Sequence, residues 1–573
     1  MMRSGAGVLL LAFAIVMAGQ ATADSVSDIQ QAATDMVRRY LLDAAKSPNF
    51  TKPIPLLYNT SAFFPQPKAT KLPAGASNPI PTCCPAMTGS VSTASVGADA
   101  GCGVKSLKAS ASTGHWGYWY EGLQPSMVVK SGDIVDIEMP TFGANSAWEL
   151  MGQGDPGMED MYAWDTNGPR VAFKGPTGTT GGHFLTGPVY VCGAEPGDVL
   201  QVDILDLIPR PNPGANNRSV GFTSNGGIGW WNRVGYVTPS YKKDRGGVVV
   251  YEAIKDQDGR PQYWTPLYTY DGTDPRIIKQ TPGCVPQTMP IPRTTESGYG
   301  IANNTDYKFA GKVIPCVNNT QDWTYPNGAY SGQVYIVPEE ARDYSINGTY
   351  RLPVNMHIGN MGLAPATGVP VITAPPMRSG GNLDDKRIGI GATMYYPIEV
   401  AGALLSMGDC HGHQGDGESA ATGVETSLNG RFKLTLHKAS DLKPPLSLVD
   451  YPLLENANEY VIHGYAYKDW IREIPNPQVN VSQTAPYGGV DLNRAMSVIY
   501  NQTREFVMVN YNMTEDLAIN ILSHIDFGIT QIVDSNVGLH SMIPKWMFNT
   551  TGWEAEPYYQ AKVKTGTSRT FYP

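Results

Sequence analysis

The chain has 573 residues, with 51 Asp and Glu against 42 Lys and Arg and a formal net charge of −9. No Lys/Arg run stands out, which excludes the basic stripe that nucleic-acid binding needs. A charged fraction of only 16%, with 62 Gly and 45 Pro, favours many short strands joined by tight turns over a helical bundle.

The N-terminus reads MMRSGAGVLLLAFAIVMAGQATADS. Arg3 supplies a positive start, Val8 to Met17 an apolar core, and Ala21-Thr22-Ala23 a small-residue cleavage site. Residues 1–23 therefore read as a signal peptide and the protein as secreted. No later segment approaches the ~20 apolar residues of a membrane span. Sequons at Asn49, Asn59, Asn217, Asn303, Asn318, Asn347, Asn480, Asn501, Asn512 and Asn549 imply surface N-linked glycans. In an oxidising compartment most of Cys83, Cys84, Cys102, Cys192, Cys284, Cys316 and Cys410 should pair, and the odd count leaves at least one free. Cys284 with Cys316, and one of Cys83 or Cys84 with Cys102, are candidate pairs.

Residues 26–46 carry apolar side chains at helical spacing (Ile29, Ala33, Met36, Val37, Leu41), and 48–110 form a Pro/Ser/Thr/Gly-rich extended stretch. From 111 to about 450 Gly/Pro punctuation dominates. Here MVVKSGDIVDIEM (127–139) and VYVCGAEPGDVLQVDIL (189–205) each set a Gly-Asp turn between alternating apolar stretches, the pattern of two strands joined by a turn. A further strand pair falls in 392–409, and 210–350 reads as an insertion. The expectation is a mainly β protein, an antiparallel β-sandwich or related barrel. Beyond 451 the period becomes helical, giving a smaller α/β part. Thr514 is the expected N-cap of its second helix, with Glu515 and Asp516 in the first turn, where the helix dipole favours acids.

The stretch MGDCHGHQGDGE (407–418) concentrates the candidate chemistry. On an extended strand Asp409, His411 and His413 share a face, a spacing that suits ligands of one zinc ion with a position left for water. A polar turn with capping carboxylates is the competing reading. Asp416 and Glu418 follow in a Gly-rich loop. His183, after Gly181-Gly182 and before a strand, and His115, among Trp116, Tyr118, Trp119 and Tyr120, are further candidates.

Six segments in order carry a resemblance: HWGYWYEGLQP with VKSGDIVDIE, GDPGMEDMYAW, HFLTGPVYVCGAEPGDVLQVDILDLIPRP, GGNLDDKRIGIGATMYYPIEVAGALLSMGDCHGHQGDGE, and DFGITQIVDSNVGLHSMIPKWMF. From about residue 113 to 548 the chain resembles the acetamidase/formamidase family. The resemblance implies a β-rich, metal-dependent, homo-oligomeric amidohydrolase that cleaves short amides such as formamide or acetamide to ammonia and a carboxylate. Its Gly-Asp-x-His run falls on Gly408 to His411, its Gln-Gly-Asp-Gly-Glu on Gln414 to Glu418, and its Gly-Gly-Asn-x-Asp on Gly380 to Asp384. The family's histidines fall on His183 and His115. The expected roles are then His411 and Asp409, with His183 or His413, as ligands of a divalent metal, Zn2+ with Ca2+ as the alternative. Glu418 is expected as general base with Asp416 beside it, and Asn382 as oxyanion donor. His115, Asp384 and Gln414 are expected to bind substrate.

Three positions depart from the family pattern. Thr141-Phe142-Gly143 stands where many members carry Thr-His, Ser419-Ala420-Ala421 replaces Val-Cys-Gly, and His413 replaces a small or apolar residue. They motivate a competing expectation, a secreted glycoprotein of the same fold that binds a ligand or partner without catalysis.

Overall fold

Period-two alternation, the strongest pattern in the chain, builds sheets that share one core. The computed structural model describes residues 105–162, 183–225, 247–280, 334–473 and 492–548, apart from positions 111, 142, 273, 368–370 and 534–535. The leader, the 26–46 helix, Phe142, the cysteines Cys83, Cys84, Cys102, Cys284 and Cys316, and the sequons at Asn49, Asn59, Asn303, Asn318, Asn480 and Asn549 lie outside the described residues. All described residues belong to one unit, Ala69–Pro573.

The first half of the described chain supplies β1 (Lys105–Leu107), β2 (Gly114–Trp116), β3 (Met127–Val129), β4 (Ile134–Met139), β5 (Phe184–Val191), β6 (Val199–Pro209), β7 (Val220–Ser224), β8 (Gly247–Lys255) and β9 (Pro261–Asp271). The second half supplies β10 (His357–Leu363), β11 (Gly380–Asn382), β12 (Thr393–Pro397), β13 (Leu405–His411), β14 (Leu428–His437), β15 (Leu453–Glu455) and β16 (Glu459–Tyr465). Then come α1 (Leu492–Asn510), α2 (Glu515–Leu522), β17 (Asp526–Gln531) and β18 (Gly538–Pro544). A nine-stranded sheet runs β1-β4-β14-β6-β12-β15-β16-β18-β17. A six-stranded sheet runs β11-β10-β13-β5-β2, with β3 also against β5. Pairing is antiparallel except for β1 with β4 and β3 with β5. A third sheet, β9-β8-β7 with Leu352–Pro353 at its edge, takes its three longer strands from the 210–350 stretch. The protein is mainly β, as expected.

The two Gly-Asp units differ from simple hairpins. Their arms do not pair with each other: β3 lies on β5 while β4 lies on β14, and β5 lies on β13 while β6 lies on β14 and β12. Each turn carries the chain from one sheet to the other, and so does the link from β12 to β13. The reason is where the apolar residues go. Val129 with Val135 and Ile137, Val191 with Leu200 and Val202, and Met394 and Tyr396 with Leu405 and Met407 are all buried in one shared core. Alternating arms facing one another across a turn close a sandwich, whereas arms of a hairpin share a single sheet.

The C-terminal strands β15 to β18 extend the nine-stranded sheet, so the α/β part is continuous with the sandwich. In α1 the buried positions Ala495, Ile499, Thr503, Phe506 and Val507 form one helical stripe, which packs on β16 and β18. Thr514 caps α2 as expected, its hydroxyl accepting from Leu517 N, with Glu515 and Asp516 in the first turn. Among the described residues no helix is long and apolar enough to cross a membrane.

Candidate active site

The site forms where the alternation of β13 slips. Leu405 and Met407 point into the core, and so does Cys410, so the two-residue period shifts by one between them. At the slip Asp409 takes φ 51°, a left-handed conformation uncommon for a residue with a side chain. Opposite, on β10, Ile358 and Met361 also point into the core, with Gly359 between them. A Cβ at Gly359 would stand 2.6 Å from Asp384 Oδ1, Asp409 O and His411 Cε1, so only glycine lets these groups close in.

Two buried groups of acceptors share His411. In one, Asp384, His411 and Glu418 bring ligand-type atoms within 4.8 Å of one another; in the other, Asp409, His411 and Glu425 do so. His411 Nε2 lies 3.1 Å from Glu425 Oε1 and 3.5 Å from Glu418 Oε1. Asp384 and Glu418, like Asp409, hold positive φ, both 46°. Backbone strain of this kind gathers at functional sites.

Neighbouring polar groups orient this centre. His357 Nδ1 is 2.7 Å from Asn355 O, and its Nε2 is 2.9 Å from Gln414 Oε1 and 3.2 Å from His411 Nδ1. Burial, together with the nearby His411, lowers the His357 pKa to about 4, so the ring carries one proton at neutral pH. Both His357 nitrogens face an acceptor, Asn355 O and Gln414 Oε1, so the single ring proton can serve only one of the two. His411, whose pKa burial also lowers, brings Nε2 within reach of two carboxylates. A cation among these groups would offset the mutual repulsion of the buried carboxylates. Each group, two carboxylates and one imidazole nitrogen, is a donor set suited to a divalent metal.

Around this centre Thr141 Oγ1 donates to Glu425 Oε2 at 2.9 Å. Gly423 N donates to Glu418 Oε1, Gln531 Nε2 to Asp384 Oδ2, and Gln414 Nε2 to the Asp384 carbonyl. His183 Nε2 lies 3.5 Å from Asp409 Oδ2 and its Nδ1 3.1 Å from Thr373 Oγ1. Burial, with the nearby His411, lowers its pKa to about 3, so it is a neutral neighbour of Asp409.

Of the expected site residues, the structure brings together Asp409, His411, Glu418 and Asp384, with His183 and Gln414 in direct contact with them. Asn382 is buried and donates to Ala374 O at 3.0 Å. His115 bonds Ser406 Oγ at 3.0 Å and belongs to neither group of ligand atoms. His413 belongs to neither group as well. The shared face ends with β13 at His411, and Gly412 turns the chain away to pair with Val424. Asp416 faces Lys386 Nζ at 3.0 Å, Arg387 Nη1 at 3.5 Å and His540 Nε2 at 3.7 Å.

Glu425, His357 and Gln531 were not legible as site residues. Each is a single polar residue in a stretch without local clustering, and His357 meets His411 across 54 positions of chain. Thr141, the threonine before the departing Phe142, orients Glu425. Ser419 and Ala420 are exposed and take no part in the two groups of ligand atoms.

Fold and site define a β-sandwich protein with a buried carboxylate–histidine centre at a strained strand end. Residues 177–371 and 363–550 match the Acetamidase/Formamidase family, and the chain belongs to that family. Both groups of ligand atoms fall inside the matched residues. The chain is 31% identical to an acetamidase of Mycolicibacterium smegmatis over 239 residues, 41% of this chain and 48% of that protein. It is 26% identical to a formamidase of Methylophilus methylotrophus over 244 residues, 42% of this chain and 48% of that protein. The chain thus spans about half the length of the curated relatives it matches. A crystal structure of an acetamidase from Bacillus halodurans aligns over 78% of this chain and 99% of its own, at 19% identity and a TM-score of 0.45.

Proposed function

We propose that the protein hydrolyses the C–N bond of short linear amides to ammonia and a carboxylate. The observation that carries this reading is the buried centre of Asp384, Asp409, Glu418 and Glu425 around His411, on the motif shared with a family whose named members are acetamidases and formamidases. Asp384, Asp409, His411 and Glu425 would supply the ligands for a divalent metal, with Glu418 kept as the base. The His411 nitrogen favours Zn2+ over Ca2+, which takes oxygen ligands. Such an ion, when bound, polarises the amide carbonyl and acidifies water.

Glu418 is the group best situated to move protons. It is 8% exposed, against 1 or 2% for the other three carboxylates, so it is the one nearest solvent. With Oε1 held by Gly423 N, Oε2 accepts the proton of the attacking water as the new C–O bond forms. It then returns that proton to the amide nitrogen as the C–N bond breaks and ammonia leaves. Asn382, which donates to Ala374 O, is the candidate donor to the developing oxyanion. The Thr141–Glu425 bond supports catalysis over the ligand-binding alternative, because the threonine beside the departing Phe142 still serves the centre.

Secretion, N-glycosylation and homo-oligomerisation are part of the same proposal. The four described sequon asparagines, Asn217, Asn347, Asn501 and Asn512, are all exposed, as glycan acceptors must be. The test is ammonia release from formamide, acetamide and propionamide by the purified full chain, before and after chelation, with metal analysis of the same sample. Chelator-sensitive release supports the reading, and no release from a metal-replete protein overturns it. Glu418→Gln should cut turnover by ~10²-fold or more; full turnover would remove it as the base.

A further inference from the structure

Adjacent to the centre lies a second polar cluster that the hydrolysis does not use. Asp384 and Asp385 are consecutive, yet their carboxylates serve different partners. Asp384 joins His411 and Glu418, whereas Asp385 is buried against His463 Nε2 at 2.9 Å and Arg387 Nη1 at 3.2 Å. Both His463 nitrogens face acceptors, the second being Pro452 O at 3.0 Å. Arg387 can only donate, so His540 Nε2, 2.9 Å away, accepts, and the His540 proton sits on Nδ1, donated to Thr530 Oγ1 at 2.8 Å.

The same groups reach the second loop of the centre. Arg387 Nη1 lies 3.5 Å and His540 Nε2 3.7 Å from Asp416, two residues before Glu418. Lys386 Nζ closes on Asp416 from the same side at 3.0 Å. One cluster therefore ties the loop that carries Asp384 to the loop that carries Glu418. His463 and His540 stand opposite each other on β16 and β18, so the anchor is the rigid nine-stranded sheet. Packing leaves the anchor little slack. A Cβ at Gly528 would stand 2.4 Å from His540 Nε2 and 2.7 Å from Asp416 Oδ2.

We propose that Asp385, Arg387, Asp416 and His540 act as a clamp that sets the position of Asp384 relative to Glu418, making them positioning residues for the metal centre. The proposal rests on the reading of that centre as a cation site. The strain at both clamped positions, φ 46° in Asp384 and in Glu418, is what such a clamp has to hold. Partners that orient metal ligands typically change metal affinity or activity by about 10–100-fold.

The test uses the full chain with Asp385→Asn, Asp416→Asn, Arg387→Met and Arg387→Lys. Zn2+ retention is measured against a competing chelator, and hydrogen exchange is followed in metal-free protein over residues 380–388 and 412–424. The expected result is faster exchange in both segments and roughly 10–100-fold weaker Zn2+ retention for the first three variants, with Arg387→Lys recovering part of both. Asp416 is partly exposed, so Asp416→Asn keeps the test available if Asp385→Asn fails to fold. Folded variants with wild-type exchange in 412–424 and wild-type Zn2+ retention would overturn the clamp. If the wild type itself takes up no Zn2+, the cation reading fails separately, and the clamp stands or falls on the exchange data.

Discussion

Gly359→Ala is the sharpest probe of the centre, because it adds one methyl group and removes no functional group. The new Cβ would lie 2.6 Å from Asp384 Oδ1, from Asp409 O and from His411 Cε1, where ordinary contact begins at 3.4 Å. Relief of about 0.8 Å must come from a backbone carbonyl and two groups of the centre, none of them the free end of a flexible chain. Overpacking of this kind costs roughly 1–3 kcal/mol of stability, and a shift near 1 Å in reacting groups costs about 10²-fold in rate, or about 2.7 kcal/mol of barrier. The expected variant is folded, melts a few degrees lower, and has kcat for acetamide down about 100-fold with weakened metal retention. Thermal melting, metal analysis and ammonia release on one preparation separate these effects. A Gly359→Ala protein with kcat within twofold of wild type and full metal content would refute the assignment of this position as the meeting point of the centre.

Thr141→Val removes the hydroxyl that donates to Glu425 Oε2. A hydrogen bond to a charged group contributes about 1.5–3 kcal/mol, so metal retention should fall by roughly ten- to a hundredfold while secondary structure by circular dichroism stays unchanged. Chelation of the native protein should also lower its melting temperature, since a ligand bound only to the folded state stabilises by mass action; an unaltered melt argues against a bound ion. Stability should decline with acid in a stated window. Burial, partly offset by Asp385, holds the His540 pKa at about 4, whereas an unfolded imidazole titrates near 6.5. Below about pH 6.5 the unfolded chain binds a proton that the fold refuses, so the contribution is intact above that pH and is lost as pH drops toward 4. His183 and His357 act in the same direction. The slope is up to ~1.4 kcal/mol per pH unit for each group. Urea midpoints from pH 7 to 4.5 should fall, and His540→Gln should flatten the decline; an unchanged slope would refute the role of that ring.

What the sequence determined by itself was local. Alternating apolar residues around Gly-Asp turns specified strands, the stripe through Ala495, Ile499, Thr503 and Phe506 specified α1, and Thr514 specified where α2 begins, because these signals act over a few residues of backbone. MGDCHGHQGDGE was legible as the site for the same reason: its ligand-type groups cluster in the chain. The tertiary structure decided what local patterns cannot carry. Strand alternation alone does not say whether a turn returns the chain to its own sheet or passes it to the facing one; the shared core of Val129, Val135, Leu200 and Met407 made that choice. Nor does it extend past a positive φ. The slip at Asp409 and the strand end at His411 separated His413 from its apparent partners, while Asp384, Glu425 and His357 arrived from other strands and loops. Their meeting depends on burial and close backbone approach at Gly359, which are properties of the packed fold and leave no mark in any short stretch of chain.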